Sequence, residues 1–143
     1  MFLGEYQHTL DAKGRLILPV DFRARLAGGC VLTRGQETCL SVYAPDEFDR
    51  IAEKLSRAPQ GNASARNLIR QFFSGARQEV PDKQGRVMIP EPLRAYAHLQ
   101  RDVAVIGAGL RIEVWDRPTW TEQQQRTEPE YRDLDIEGPG VDF

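Results

Sequence analysis

The strongest constraint on this chain is that it repeats itself. Asp11-Ala12-Lys13-Gly14-Arg15-Leu16-Ile17-Leu18-Pro19 returns as Asp82-Lys83-Gln84-Gly85-Arg86-Val87-Met88-Ile89-Pro90, an offset of 71 residues (82 − 11). The same offset pairs Phe2 with Phe73, Gly4 with Gly75, Gln7 with Gln78, Arg23 with Arg94 and Ala24 with Ala95. At an offset of 72, Gly35 meets Gly107, Leu40 meets Ile112, Val42 meets Val114, Tyr43 meets Trp115 and Phe48 meets Trp120. Each copy is a unit of about 55 residues, close to the size below which a chain struggles to bury a core unaided. The two copies are therefore expected to complete one another.

Local patterns give each copy the same grammar. A strand over residues 2–9 leads into the turn Asp11 to Gly14 and a second strand from Arg15 to Leu18. An Asp accepts bonds from backbone N–H groups just ahead of it, and Gly takes a positive φ without steric cost. Pro19 suits a first helical turn, Asp21 favours the positive helix end, and Gly28-Gly29 stop the helix. A second hairpin is expected from residues 30–33 and 39–43. Pro45 then opens a helix with Phe48, Ile51, Ala52 and Leu55 on one face. Pro59 to Asn62 separates the copies, and residues 63–73 predict a linking helix. The second copy repeats the order, with strands at 103–106 and 110–115 and a last helix from Arg117 or Pro118 to about Gln125. From Glu128 onward, Pro129, Gly138, Pro139 and Gly140 with little apolar content predict a flexible tail.

Charge is distributed unevenly. Residues 126–143 hold six acidic and two basic side chains, whereas the whole chain carries a formal net charge of −2, so residues 1–125 carry +2. Sixteen of the nineteen basic residues are arginine, the side chain suited to bidentate contact with phosphate or guanine. Composition thus permits a nucleic-acid partner. No apolar run is long enough to span a bilayer, and Met1 leads straight into a strand pattern with no leader-like segment, so a cytoplasmic protein is expected. Cys30 and Cys39 lack metal-ligand spacing and read as buried thiols, His8 and His98 have no sequence partners, and neither a metal nor a cofactor is expected. An enzyme would need a nucleophile or a paired acid and base, and Asp11 and Asp82 have neither histidine nor cysteine beside them.

The doubled Asp-x-x-Gly-Arg closed by an apolar triplet and Pro, with Met1-Phe2-Leu3-Gly4 at the start and Glu113-Val114-Trp115-Asp116 and Trp120 near the end, resembles the MraZ family of bacterial transcriptional regulators. The likeness runs from Met1 to about Gln125. It implies an α+β, mainly β fold of tandem AbrB-like (double-psi or swapped-hairpin) halves that form a pseudo-twofold, β-barrel-like core with short helices. On that pattern residues 5–47 are the first repeat, 48–75 the linking helices, 76–119 the second repeat and 126–143 the flexible acidic tail. The resemblance also implies a homo-oligomeric ring, nucleoid-associated, that binds double-stranded DNA at direct repeats in the promoter of its own division and cell-wall operon, usually as a repressor. An antitoxin-like protein that holds a partner protein through its acidic tail is the competing expectation.

Physical reasoning places the contacts in the motif. An Asp-x-x-Gly turn is a rigid pedestal, so the Arg leaving it contacts phosphate or a base edge at a lower ordering cost. Arg15 and Arg86 are the expected DNA-binding residues, with Lys13 and Lys83 as less directional phosphate partners and Asp11, Gly14, Asp82 and Gly85 as the structural turn. The blander expectation is that Asp11–Arg15 and Asp82–Arg86 are ion pairs that pin a hairpin. Arg23 and Arg94 are expected at a helix surface or core edge. Tyr43, Phe48, Trp115 and Trp120 are expected in the core or a subunit interface.

Overall fold

A computed structural model describes residues 1–134. The first copy runs β1 (Glu5–Thr9), β2 (Arg15–Ile17), α1 (Val20–Leu26), β3 (Cys30–Arg34), β4 (Cys39–Tyr43) and α2 (Pro45–Arg57). Helix α3 (Ala63–Ser74) links it to β5 (Arg77–Glu79), β6 (Arg86–Met88), α4 (Glu91–Tyr96), β7 (Asp102–Gly107), β8 (Ile112–Asp116) and α5 (Arg117–Tyr131). Six strands form one sheet in the order β1-β7-β8-β4-β3-β5, and β2 pairs with β6 in a separate two-stranded ribbon. Every named pairing is antiparallel.

The fold is α+β and mainly sheet, as expected, but the sheet is open and the β-barrel-like core is not formed. β1 bonds only β7 and β5 bonds only β3, so each ends the sheet. The two strands that remain, β2 and β6, pair with each other instead of bridging those edges.

Register shows how the halves combine. In the ribbon Arg15 faces Met88 and Ile17 faces Arg86, two pairs that exchange under the 71-residue offset about Leu16–Val87. In the sheet, Leu40–Val114 and Val42–Ile112 exchange under the 72-residue offset about Ser41–Glu113. The equivalence of Gly35 with Gly107 does not hold. Gly35 N–H donates to Cys39 O, and its structural counterpart is Ala108, which donates to Arg111 O (2.9 Å each), because the second loop is one residue shorter.

Alternation sends the two faces of the sheet to different layers. One face, with Leu32, Leu40, Val42, Val103, Val105, Ile112 and Val114, packs against Phe22, Leu93 and the inward side chains Leu16 and Val87 of the ribbon, all nearly sealed from solvent. The other carries Tyr43 against Phe48 of α2 (6.2 Å between ring centroids) and Trp115 against Trp120 of α5 (5.4 Å). Of these four aromatics, expected in the core or a subunit interface, Tyr43 and Trp115 are buried and Phe48 and Trp120 half-buried, and each contact is made within one half. Phe72 stacks on Phe48 at 5.5 Å and anchors α3, which has no counterpart in the second copy.

The caps follow from sequence. Asn62 accepts the Ala65 N–H at 2.7 Å to start α3, and Asp116 accepts the Thr119 N–H at 3.2 Å to start α5. Helix α5 runs to Tyr131 rather than stopping near Gln125, and Pro129 sits inside it. Residues 126–131 of the expected flexible tail are therefore helical, and its residues 135–143 lie outside the described residues. No helix among the described residues is long and apolar enough to cross a membrane.

Candidate nucleic-acid interface

The two motifs build the same turn. Asp11 Oδ1 accepts the N–H groups of Lys13 and Arg15, each at 2.9 Å, while Oδ2 takes the Arg15 Nε at 2.7 Å. Asp82 does likewise for Gln84 (3.0 Å), Arg86 N–H (2.9 Å) and Arg86 Nε (2.7 Å). These bonds hold both carboxyls below the usual aspartate range, the Arg15 or Arg86 backbone N–H acting most strongly and the guanidinium adding to it. Gly14 and Gly85 close the turns at φ values of 81° and 78°, where an L side chain is strained.

Each turn is completed by the opposite half. Leu18 N–H donates to Gly85 O at 2.9 Å and Ile89 N–H to Gly14 O at 3.0 Å. A Cβ on Gly14 would lie 2.7 Å from Cζ of Arg94, and a Cβ on Gly85 would lie 2.6 Å from Nε of Arg23. The guanidinium of each short helix thus fills the space beneath the other copy's turn. Arg23 is further fixed by donating its Nε to Leu18 O at 2.9 Å, whereas Arg94 Nε is buried with no partner among the described residues. Sequence reasoning put Arg23 and Arg94 at a helix surface or core edge. Their recurrence at one offset was the available signal of this bracing role.

The ion pair and an external contact are compatible. Asp11 and Asp82 engage the Nε edge of their arginines, and the two terminal nitrogens of Arg15 and Arg86 have no partner among the described residues. Each guanidinium is clamped along one edge and offers the other, the edge that bonds a phosphate or the N7 and O6 of guanine in bidentate fashion. Both arginines line one groove of about 690 Å³ with Asp11, Ile17, Gln84 and Arg101. The structure thus brings Arg15 and Arg86 together on one ribbon. Lys13 and Lys83 are exposed in the two turns but not equivalent, since Lys13 corresponds to Gln84 and Lys83 to Ala12. The groove lining adds Gln84 and Arg101, and the ribbon register adds the exposed Ile17 and Met88, to the residues the sequence singled out for contact.

None of the remaining candidates for chemistry lines this groove. Cys30 and Cys39 are free and buried, and burial pushes both thiols up to about 12. His8 is held below its usual range, chiefly by burial and then by Arg23 and Arg117. No group of three potential metal ligands occurs among the described residues.

Comparison with known proteins agrees with the doubled motif. The family described as "MraZ protein, putative antitoxin-like" matches twice, at residues 1–71 and 72–135. Proteins named "Transcriptional regulator MraZ" from Micrococcus luteus and from Paenarthrobacter aurescens are 53% identical over 142 residues and 54% identical over 135 residues. The alignments cover 99% and 94% of both partners respectively. A third relative of that name, from Salinispora arenicola, is 52% identical over 135 residues, 94% of this chain and 95% of its own. With its motif present twice and its whole described length aligned to these regulators, the chain belongs to the MraZ family.

Proposed function

We propose that this protein is a sequence-specific DNA-binding transcriptional regulator with no catalytic role. It binds double-stranded DNA through the β2–β6 ribbon. The observation that carries the reading is the pair of arginines clamped through Nε by Asp11 and Asp82, their terminal nitrogens without a partner among the described residues, that line one groove. A two-stranded ribbon is of a size that enters the major groove, and a pre-ordered guanidinium loses less entropy on contact. Arg15 and Arg86 are assigned to base edges or phosphates, and Lys13 and Lys83 to phosphates. The relatives' name supports regulation of transcription. The finer expectations stand with it: repression at direct repeats in the promoter of its own division and cell-wall operon, by a ring of identical subunits in the cytoplasm, associated with the nucleoid.

The test is Arg15→Ala and Arg86→Ala, each measured for affinity to the DNA upstream of its own coding sequence and for melting temperature. Each should cost about 1–3 kcal/mol of binding per engaged subunit. In a ring that engages several repeats the losses compound, because each later contact forms at high effective concentration. The folded state should lose about 1 kcal/mol at most, since both ion pairs are partly exposed. Variants that melt far earlier yet bind this DNA like the parent would reduce the arginines to hairpin pins.

A further inference from the structure

The outward face of the ribbon carries more than charge. Strand alternation places Arg15 with Ile17 and Arg86 with Met88 on one side, while Leu16 and Val87, each 1% exposed, point into the core. Because Arg15 faces Met88 and Ile17 faces Arg86, the four side chains form a square with the arginines on one diagonal and the apolar residues on the other. Ile17 is 43% exposed and Met88 37%, although buried apolar positions lie immediately beside them in both strands.

We infer that Ile17 and Met88 are specificity-determining residues that pack against thymine methyl groups in the major groove. The inference rests on the DNA-binding reading above and extends it to two residues with no charge. Among the groups a base pair presents in the major groove, the thymine 5-methyl is the apolar one. A ribbon that seats Arg15 and Arg86 against guanine edges or phosphates brings Ile17 and Met88 down beside neighbouring base pairs on the same floor. A second copy of this chain is a poorer occupant of the face, because burying it would strip solvent from the outward edges of two guanidinium groups. Ile17 and Met88 then add the discrimination of thymine from cytosine to whatever the arginines select.

Replacing thymidine by deoxyuridine in the upstream DNA removes the methyl and leaves the hydrogen-bonding pattern intact. The parent should lose roughly fourfold in affinity for each contacted methyl, the equivalent of one buried CH₂ group. The double variant Ile17→Ala/Met88→Ala should bind thymidine DNA more weakly than the parent and respond little to the replacement. Its melting temperature and its particle size by light scattering should match the parent's. The inference is overturned if the parent is indifferent to deoxyuridine or if the double variant stays as sensitive as the parent. A change in particle size would overturn it in favour of a subunit contact. If the parent binds the thymidine DNA no better than unrelated DNA, the DNA-binding reading itself fails, a result distinct from indifference to the methyl.

Discussion

Substituting Gly14 and Gly85 by alanine tests the crossed bracing of the two turns directly. Both glycines have positive φ, and placing an L side chain there costs about 1–2 kcal/mol from the backbone alone. The added methyl also meets a guanidinium at 2.7 Å on Gly14 and 2.6 Å on Gly85, so Arg94 or Arg23 must move. The two displacements are unequal. Arg23 gives up a 2.9 Å bond to Leu18 O, whereas Arg94 Nε has no bond to lose among the described residues. A lost hydrogen bond of this kind adds about 1 kcal/mol, so Gly85→Ala should be the more damaging by that margin. At roughly 3–4 °C per kcal/mol for a chain of this size, the backbone term alone lowers the melting temperature of Gly14→Ala by about 3–8 °C, displacement of Arg94 adds to that, and Gly85→Ala should fall about 3–4 °C further. The assay is thermal unfolding followed by circular dichroism at fixed protein concentration, repeated in Arg94→Ala and Arg23→Ala backgrounds. Removing the guanidinium clears the space, so each glycine substitution should cost at least about 0.5 kcal/mol less in its partner's background than in the parent. Strict additivity in both pairs, or the reverse order of Gly14→Ala and Gly85→Ala, would refute the reasoning.

Asp11 and Asp82 have folded-state pKa values below the ordinary aspartate range, so the stability they contribute is complete above that range and is lost as pH falls through the depressed values. Melting temperature should therefore be flat in these groups from pH 6 to 8 and fall toward pH 3 more steeply in the parent than in Asp11→Asn/Asp82→Asn; parallel curves would remove the carboxylates from the account. With thiols pushed up to about 12 and buried, Cys30 and Cys39 should resist iodoacetamide at pH 8 in the folded protein and react fully in denaturant. Rapid labelling of the native protein, read by mass spectrometry, would contradict the packing around β3 and β4.

The sequence made the local units legible. Asp-x-x-Gly-Arg specified both turns, Pro45 and the Phe48-Ile51-Leu55 face specified α2, and the recurrence of Tyr43 and Phe48 as Trp115 and Trp120 marked four aromatics for burial without showing which would touch. What it could not reveal is which strands meet across the halves. Leu18 bonding Gly85, and Ile89 bonding Gly14, are contacts between segments about seventy residues apart that no local period encodes. For the same reason the open sheet replaced the expected barrel, and the outward placement of Ile17 and Met88 was hidden inside an apolar triplet that reads as core. The extension of α5 past Pro129 failed on a local rule: an internal proline lowers helix propensity, yet the helix continues to Tyr131.

Each turn contains a glycine from one half and an arginine from the other, so neither half on its own contains a finished turn. Two identical half-chains associating in trans would satisfy the same geometry, but every substitution would then appear in both turns at once. Joining the copies through α3 ends that coupling of inheritance: Lys13 can differ from Gln84, and Ile17 from Met88, while the framework stays paired. The covalent link thus makes an obligate heterodimer out of a repeated unit, with one partner always present at equal dose. Such a particle can present two non-identical edges of one ribbon from a single chain.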